Sequence, residues 1–107
     1  MIEQRVNILG TTYIVVEDST RVDKGNVGQC ENYNKAIYVK DKDDIFGDTA
    51  SQTEKDEAFK EVVRHEIVHA FFNESGLDEY RGDEMLVQWL AKQLPKMVKV
   101  MKEVGSI

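Results

Sequence analysis

A chain of 107 residues has room for one modest hydrophobic core, so a single domain carrying a single site is expected over residues 1–107. Its formal charge of -6, from 20 acidic and 14 basic side chains, argues against a protein that works by gripping nucleic-acid phosphates. Neither a cationic leader with an apolar core nor a run of about 18 apolar residues is visible, so a cytoplasmic protein without a membrane span is expected. The single cysteine, Cys30, excludes an internal disulfide and reads as a structural thiol compatible with a reducing compartment.

The chain opens with strand patterns. In "TTYIVVED", Thr11, Tyr13 and Val15 alternate with Thr12, Ile14 and Val16 among β-branched and aromatic residues, and Gly10 suggests a hairpin back to "IEQRVNI". "GNVGQC" reads as a loop or an irregular strand start. "ENYNK" reads as a turn, and "KAIYVK" as a third strand with Ile37 and Val39 on one face. The acidic "DKDDIFGD" is placed in a loop, and Ile45 stands where a calcium loop needs an oxygen ligand.

Ser51 followed by Glu54 matches a capping box. From there Ala58, Phe59, Val62, Val63, Ile67, Ala70 and Phe71 recur at helical spacing to Asn73, and Gly76 is placed to end the helix. "LDEYRGD" connects it to a second helix that begins near Asp83. There Met85, Leu86, Trp89, Leu90, Leu94, Met97, Val98 and Met101 form a stripe read as core, and Lys92, Lys96, Lys99 and Lys102 a solvated face. Pro95 is expected to kink or interrupt this helix.

Both histidines of the chain lie in "RHEIVHAFF". His65 and His69 stand four apart, one above the other on a helix and close enough to bind one ion. Glu66, about 100 degrees round the helix, is offset from direct ligation but placed to take a proton from an attacking water. A bound zinc would polarise the carbonyl under attack and lower the pKa of that water. Chance alone supplies this pattern on the order of once per several hundred chains of this length.

No third histidine exists, and Phe72 breaks the extended motif in which a glycine and another histidine follow, so the third ligand must be a carboxylate. Glu74 and Asp78 lie too close behind the helix to turn back easily. Glu79, Asp83 and Glu84 remain, and Glu84, in the first turn of a helix that must face the first, is preferred to Asp83. Tyr80, Tyr33 and Arg81 are candidates for stabilising an oxyanion, with no pattern selecting one.

"RHEIVHAFFNESGL" followed by "DEMLVQWLA" resembles the small HExxH metallopeptidases of the ImmA/IrrE type, a phage- and mobile-element-associated branch of the zincin group. Upstream, "GQCENYNKAIYV" resembles the strand before the active-site helix in that family, so the resemblance covers residues 28–94. It implies an intracellular zinc peptidase acting on a protein substrate such as a repressor, with zinc on His65, His69 and Glu84 and with Glu66 as base. This chain is shorter than that family and spaces His69 and Glu84 more tightly. The fold expected is α+β and minimal zincin-like: an antiparallel sheet of about three strands packed on the HExxH helix and a long C-terminal helix. The rival expectation is a catalytically inactive zincin-like binding or regulatory module that keeps zinc as a structural staple.

Overall fold

The computed structural model describes residues 3–107, in the order β1 (Glu3–Ile8), β2 (Thr11–Glu17), a 3-10 turn (Ser19–Arg21), β3 (Gly28–Glu31), β4 (Ala36–Val39), α1 (Lys42–Ile45), α2 (Gln52–Ser75) and α3 (Glu84–Glu103). The fold is α+β, as the sequence leads one to expect. β1 and β2 form the expected hairpin. Its two-residue turn needs positive φ at both positions, met by Leu9 at 51° and Gly10 at 94°, and the Asn7 side chain accepts from the Gly10 amide at 2.8 Å.

The sheet corrects the expected topology. It has four strands in the order β1-β2-β4-β3, and it is mixed: β4 runs parallel to β2 while the other pairs are antiparallel. The physical reason lies in the connection after β2. The 3-10 turn carries the chain past the sheet, "GNVGQC" returns as an outer strand, and the hairpin from β3 then delivers β4 into the centre alongside β2. All four residues of β4 are buried, as a strand covered on both faces requires. On one face Arg21 covers Tyr38, donating to its hydroxyl at 2.6 Å with the guanidinium 4.4 Å from the ring centroid. On the other, Ile37 and Val39 join Ile8, Tyr13, Val15, Phe59 and Ala70 in the core beneath α2.

α2 starts at the capping box: Glu54 N–H donates to the Ser51 hydroxyl, and the Glu54 carboxylate accepts from Ser51 N–H. It ends at Gly76, left-handed at φ 80°. Near that end Glu74 ties the helix to the sheet, accepting from Thr11 Oγ1 at 2.7 Å, Tyr13 hydroxyl at 2.6 Å and Lys35 Nζ at 2.8 Å. The acidic stretch expected as a loop contains the single turn α1, held because Ile45 packs on the core.

α3 packs on the opposite flank of α2 from the sheet. Pro95 does not interrupt it: the helix is continuous from Glu84 to Glu103. The stripe expected to be core is covered only in part. Val87 and Ala91 are fully buried, but Trp89 and Val100 are more than half exposed, because α2 covers one edge of a stripe wider than a single neighbour can bury. No helix among the described residues is long and apolar enough to cross a membrane.

Candidate metal centre

The two imidazoles project from α2 one turn apart, with ring centroids 4.9 Å from each other. The first turn of α3 closes over them. Asp83 is committed as the N-cap, its carboxylate accepting from Leu86 N–H at 3.0 Å, and this turns Glu84 toward the histidines. One Glu84 oxygen lies 2.9 Å from His65 Nε2 and the other 2.8 Å from His69 Nε2. His65, His69 and Glu84 are thus brought together, with ligating atoms all within 4.8 Å of one another. Asp83, Asp78 and Glu79 do not join them, and Glu74 is spent on the sheet.

The far side of each ring fixes its protonation. His65 Nδ1 faces the Gln88 side-chain oxygen at 2.7 Å, and His69 Nδ1 faces the Arg81 carbonyl at 2.8 Å. Both partners accept, so each Nδ1 is placed to donate and each Nε2 is turned toward the Glu84 carboxylate. Two imidazole nitrogens and a carboxylate directed at one point are a donor set that a divalent cation can bridge. The residues therefore fit a metal ion. The Glu84 oxygens stand closer to the two nitrogens than ligands that share an ion would, and Glu84, the exposed member, has room to withdraw. Two imidazoles with one carboxylate suit zinc or iron-like divalent ions.

Gln88 was invisible to the motif reading, although a signal existed: it lies one turn after Glu84 on α3, as Glu61 lies one turn before His65 on α2. The Gln88 amide nitrogen faces Glu61 at 3.4 Å, so the side chain that orients His65 is itself oriented.

Glu66 is the buried carboxyl of the structure, at 6% exposure. It makes no hydrogen bond among the described residues and borders the cleft between β3 and α2. Burial pushes it up to about 7, His65 opposing and the Glu84 charge adding to the rise. Gly28 lets β3 pass this close: a Cβ there would stand 2.8 Å from Val62 Cγ1 and 3.1 Å from Glu66 Cγ. The cleft encloses about 660 Å³ and is walled by β3, the loop before it, and the histidine face. Tyr33 and Arg81 line it, whereas Tyr80 lies against Phe72, ring centroids 6.2 Å apart. Cys30 also lines it, and burial pushes its thiol up to about 12.

The arrangement can hold a divalent ion beside a buried carboxyl, in an open cleft that runs along a strand edge. Comparison with protein-family models, with curated proteins and with solved structures gave no match to this chain.

Proposed function

We propose that the protein is a zinc-dependent metallopeptidase, of the zincin-like kind that its HExxH segment resembles, hydrolysing peptide bonds of a protein substrate. The observation that carries the reading is the convergence of His65, His69 and Glu84, both imidazoles turning Nε2 toward Glu84, next to the buried carboxyl of Glu66. Zinc held there supplies a Lewis acid that polarises the scissile carbonyl and acidifies the attacking water. Glu66 takes the proton of that water as oxygen bonds to the carbonyl carbon, and returns it to the nitrogen as the C–N bond breaks. The outer edge of β3 pairs with no strand among the described residues, so an extended substrate can add to it by main-chain hydrogen bonds and lie across the cleft. Tyr33 and Arg81 stand on the cleft wall as donors for the developing oxyanion.

The test is zinc-loaded protein against a panel of protein substrates, beside Glu66→Gln. Hydrolysis that Glu66→Gln abolishes while zinc stoichiometry stays at one supports the reading; no hydrolysis across the panel sinks it. The rival is a binding module with a structural ion, favoured by one observation: the ion would join α2 to α3, whose only other buried anchors are Val87 and Ala91. Chelation separates the two. A structural ion is needed to keep α3 docked, whereas removal of a catalytic ion abolishes turnover and leaves the helices in place.

A further inference from the structure

The cleft that holds the metal centre continues past it along β3. Asn73, which lines it, stands one turn beyond His69 on α2, about 5.4 Å farther along the axis, a step of roughly one to two residues of an extended chain. Gly28 and Cys30 both face α2: a Cβ on Gly28 would meet Val62 and Glu66, and the Cys30 thiol accepts from Asn73 Nδ2 at 3.5 Å. A substrate residue paired opposite Cys30 therefore lays its side chain on that same side, beside Asn73. This places a subsite close to the scissile bond.

The walls around it favour an anion. Among the described residues Val27 is the single aliphatic side chain lining the cleft, so an aliphatic substrate residue would bury little apolar surface there. Asn32 gives its side-chain oxygen to Lys35 Nζ at 3.2 Å, which leaves its NH2 group to offer a ligand. Arg81 is the one lysine or arginine among the described residues that lines the cleft. Its backbone is pinned at the site, because the Arg81 carbonyl accepts from His69 Nδ1 at 2.8 Å. Its guanidinium is not held: the ion pair it makes is a loose 4.0 Å contact with the exposed Asp78. Once a divalent ion sits beside Glu84, its two charges offset the cleft carboxylates of Glu84 and Glu66, and the Arg81 charge is left over. The guanidinium fork matches a carboxylate with two parallel hydrogen bonds, whereas a basic side chain would meet like charge.

We infer that this subsite takes a carboxylate, held by Arg81, so that the protein selects peptide bonds close to an acidic side chain or to a free C-terminus. The inference rests on the peptidase reading, and its test separates the two. Binding is read first, by calorimetry and without turnover, on proteins matched for zinc content. Wild type should bind succinic acid monohydroxamate, whose hydroxamate takes the metal while its carboxylate reaches beyond, about 10-fold more tightly than butyrohydroxamate, which carries a methyl group in place of the carboxylate. Arg81→Leu should erase that margin. Equal affinities in wild type, or a margin that survives Arg81→Leu, would overturn the proposal. Cleavage sites are then mapped by mass spectrometry in a peptide mixture with free C-termini and in the same mixture amidated. Asp and Glu enriched beside the cut bonds in both mixtures would assign the carboxylate to side chains, and cutting confined to the free mixture would assign it to the chain end. Arg81→Glu should turn the preference toward Lys and Arg. A uniform loss of rate with unchanged preference would confine Arg81 to the oxyanion and overturn the proposal. No cleavage beside an intact binding margin would sink the peptidase reading and leave the carboxylate site standing.

Discussion

Arg64 Nε donates to the Ala91 carbonyl at 2.6 Å, and that carbonyl is the acceptor that Pro95, four residues on, leaves without its helical partner. A proline inside a helix strands one carbonyl, and here a cation from the neighbouring helix takes it, so the helix survives and is fastened to α2 at the same point. The bond lies one residue before His65 on α2. It sets the distance at which the start of α3 faces the histidines.

Arg64→Met should cost about 1–3 kcal/mol, because it leaves the buried Ala91 carbonyl unpaired. Urea denaturation measures this loss. Placing a leucine or alanine at position 95 in the same background should recover part of it, since the helix would then satisfy the carbonyl itself. Failure of that rescue would show that Arg64 acts through some other contact.

Gln88→Ala should weaken metal binding by about 10- to 100-fold while leaving the ligands untouched, because His65 would lose the acceptor that holds its Nδ1 proton and its orientation. Competition with a chromophoric chelator reads the affinity. Glu84→Ala and His69→Ala should abolish stoichiometric binding altogether, and a Gln88 variant that binds like wild type would mean that His65 is oriented by packing alone.

Gly28→Ala places a methyl 2.8 Å from Val62 Cγ1, closer than Cβ atoms approach, and tightly against Glu66 Cγ at 3.1 Å, so those α2 side chains or β3 must shift. The expected cost is about 1–3 kcal/mol, as for overpacking of a core. Thermal unfolding measures it. Peptidase activity should fall by more than stability alone explains, because the carboxyl that moves is the one assigned the proton transfer.

Glu74 is held down to about 2, chiefly by hydrogen bonds from Lys35, Tyr13 and Thr11. Its folded-state value lies below the unfolded one near 4.5, so its contribution to stability is complete above that value and is lost as pH falls through about 2. Glu74→Gln should therefore destabilise the protein at neutral pH and flatten the acid limb of its stability profile between about pH 4.5 and 2. Asp18, Glu54 and Asp56 are lowered in the same sense, so part of the limb should remain. Chemical denaturation at a series of pH values provides the check, and parallel acid limbs for wild type and variant would contradict it.

Much of this arrangement is legible in the sequence where local chemistry suffices. The capping box at Ser51, the stop at Gly76, and the alternation of Tyr13 and Val15 with Ile14 and Val16 follow from spacing and residue type, whereas the meeting of Glu84 with His65 and His69 rests on how two helices pack and is favoured in the sequence only by elimination among the carboxylates. Strand β3 is legible only as a loop or an irregular strand start, because Gly28, Gln29, Cys30 and Glu31 carry neither β-branched nor aromatic residues; it pairs because β4 lies beside it. The parallel match of β2 with β4 is equally hidden, since it depends on a connection that folds across the sheet. The exposure of the Trp89 stripe was obscured for a related reason: periodicity reports that a helix has an apolar side, and only tertiary packing decides how much of that side finds a neighbour.

The open edge of β3 carries a liability as well as an opportunity. Unpaired strand edges invite other chains to extend the sheet, the first step toward insoluble aggregates. The strand contains only four residues, with a glycine at one end and a charge at the other, too short and too polar to template a long ladder. The opposite edge, β1, is guarded in the same way by Glu3 and Arg5. Replacing Gln29 and Glu31 with valine would lengthen the apolar run and should let copies of the chain add to this edge one after another.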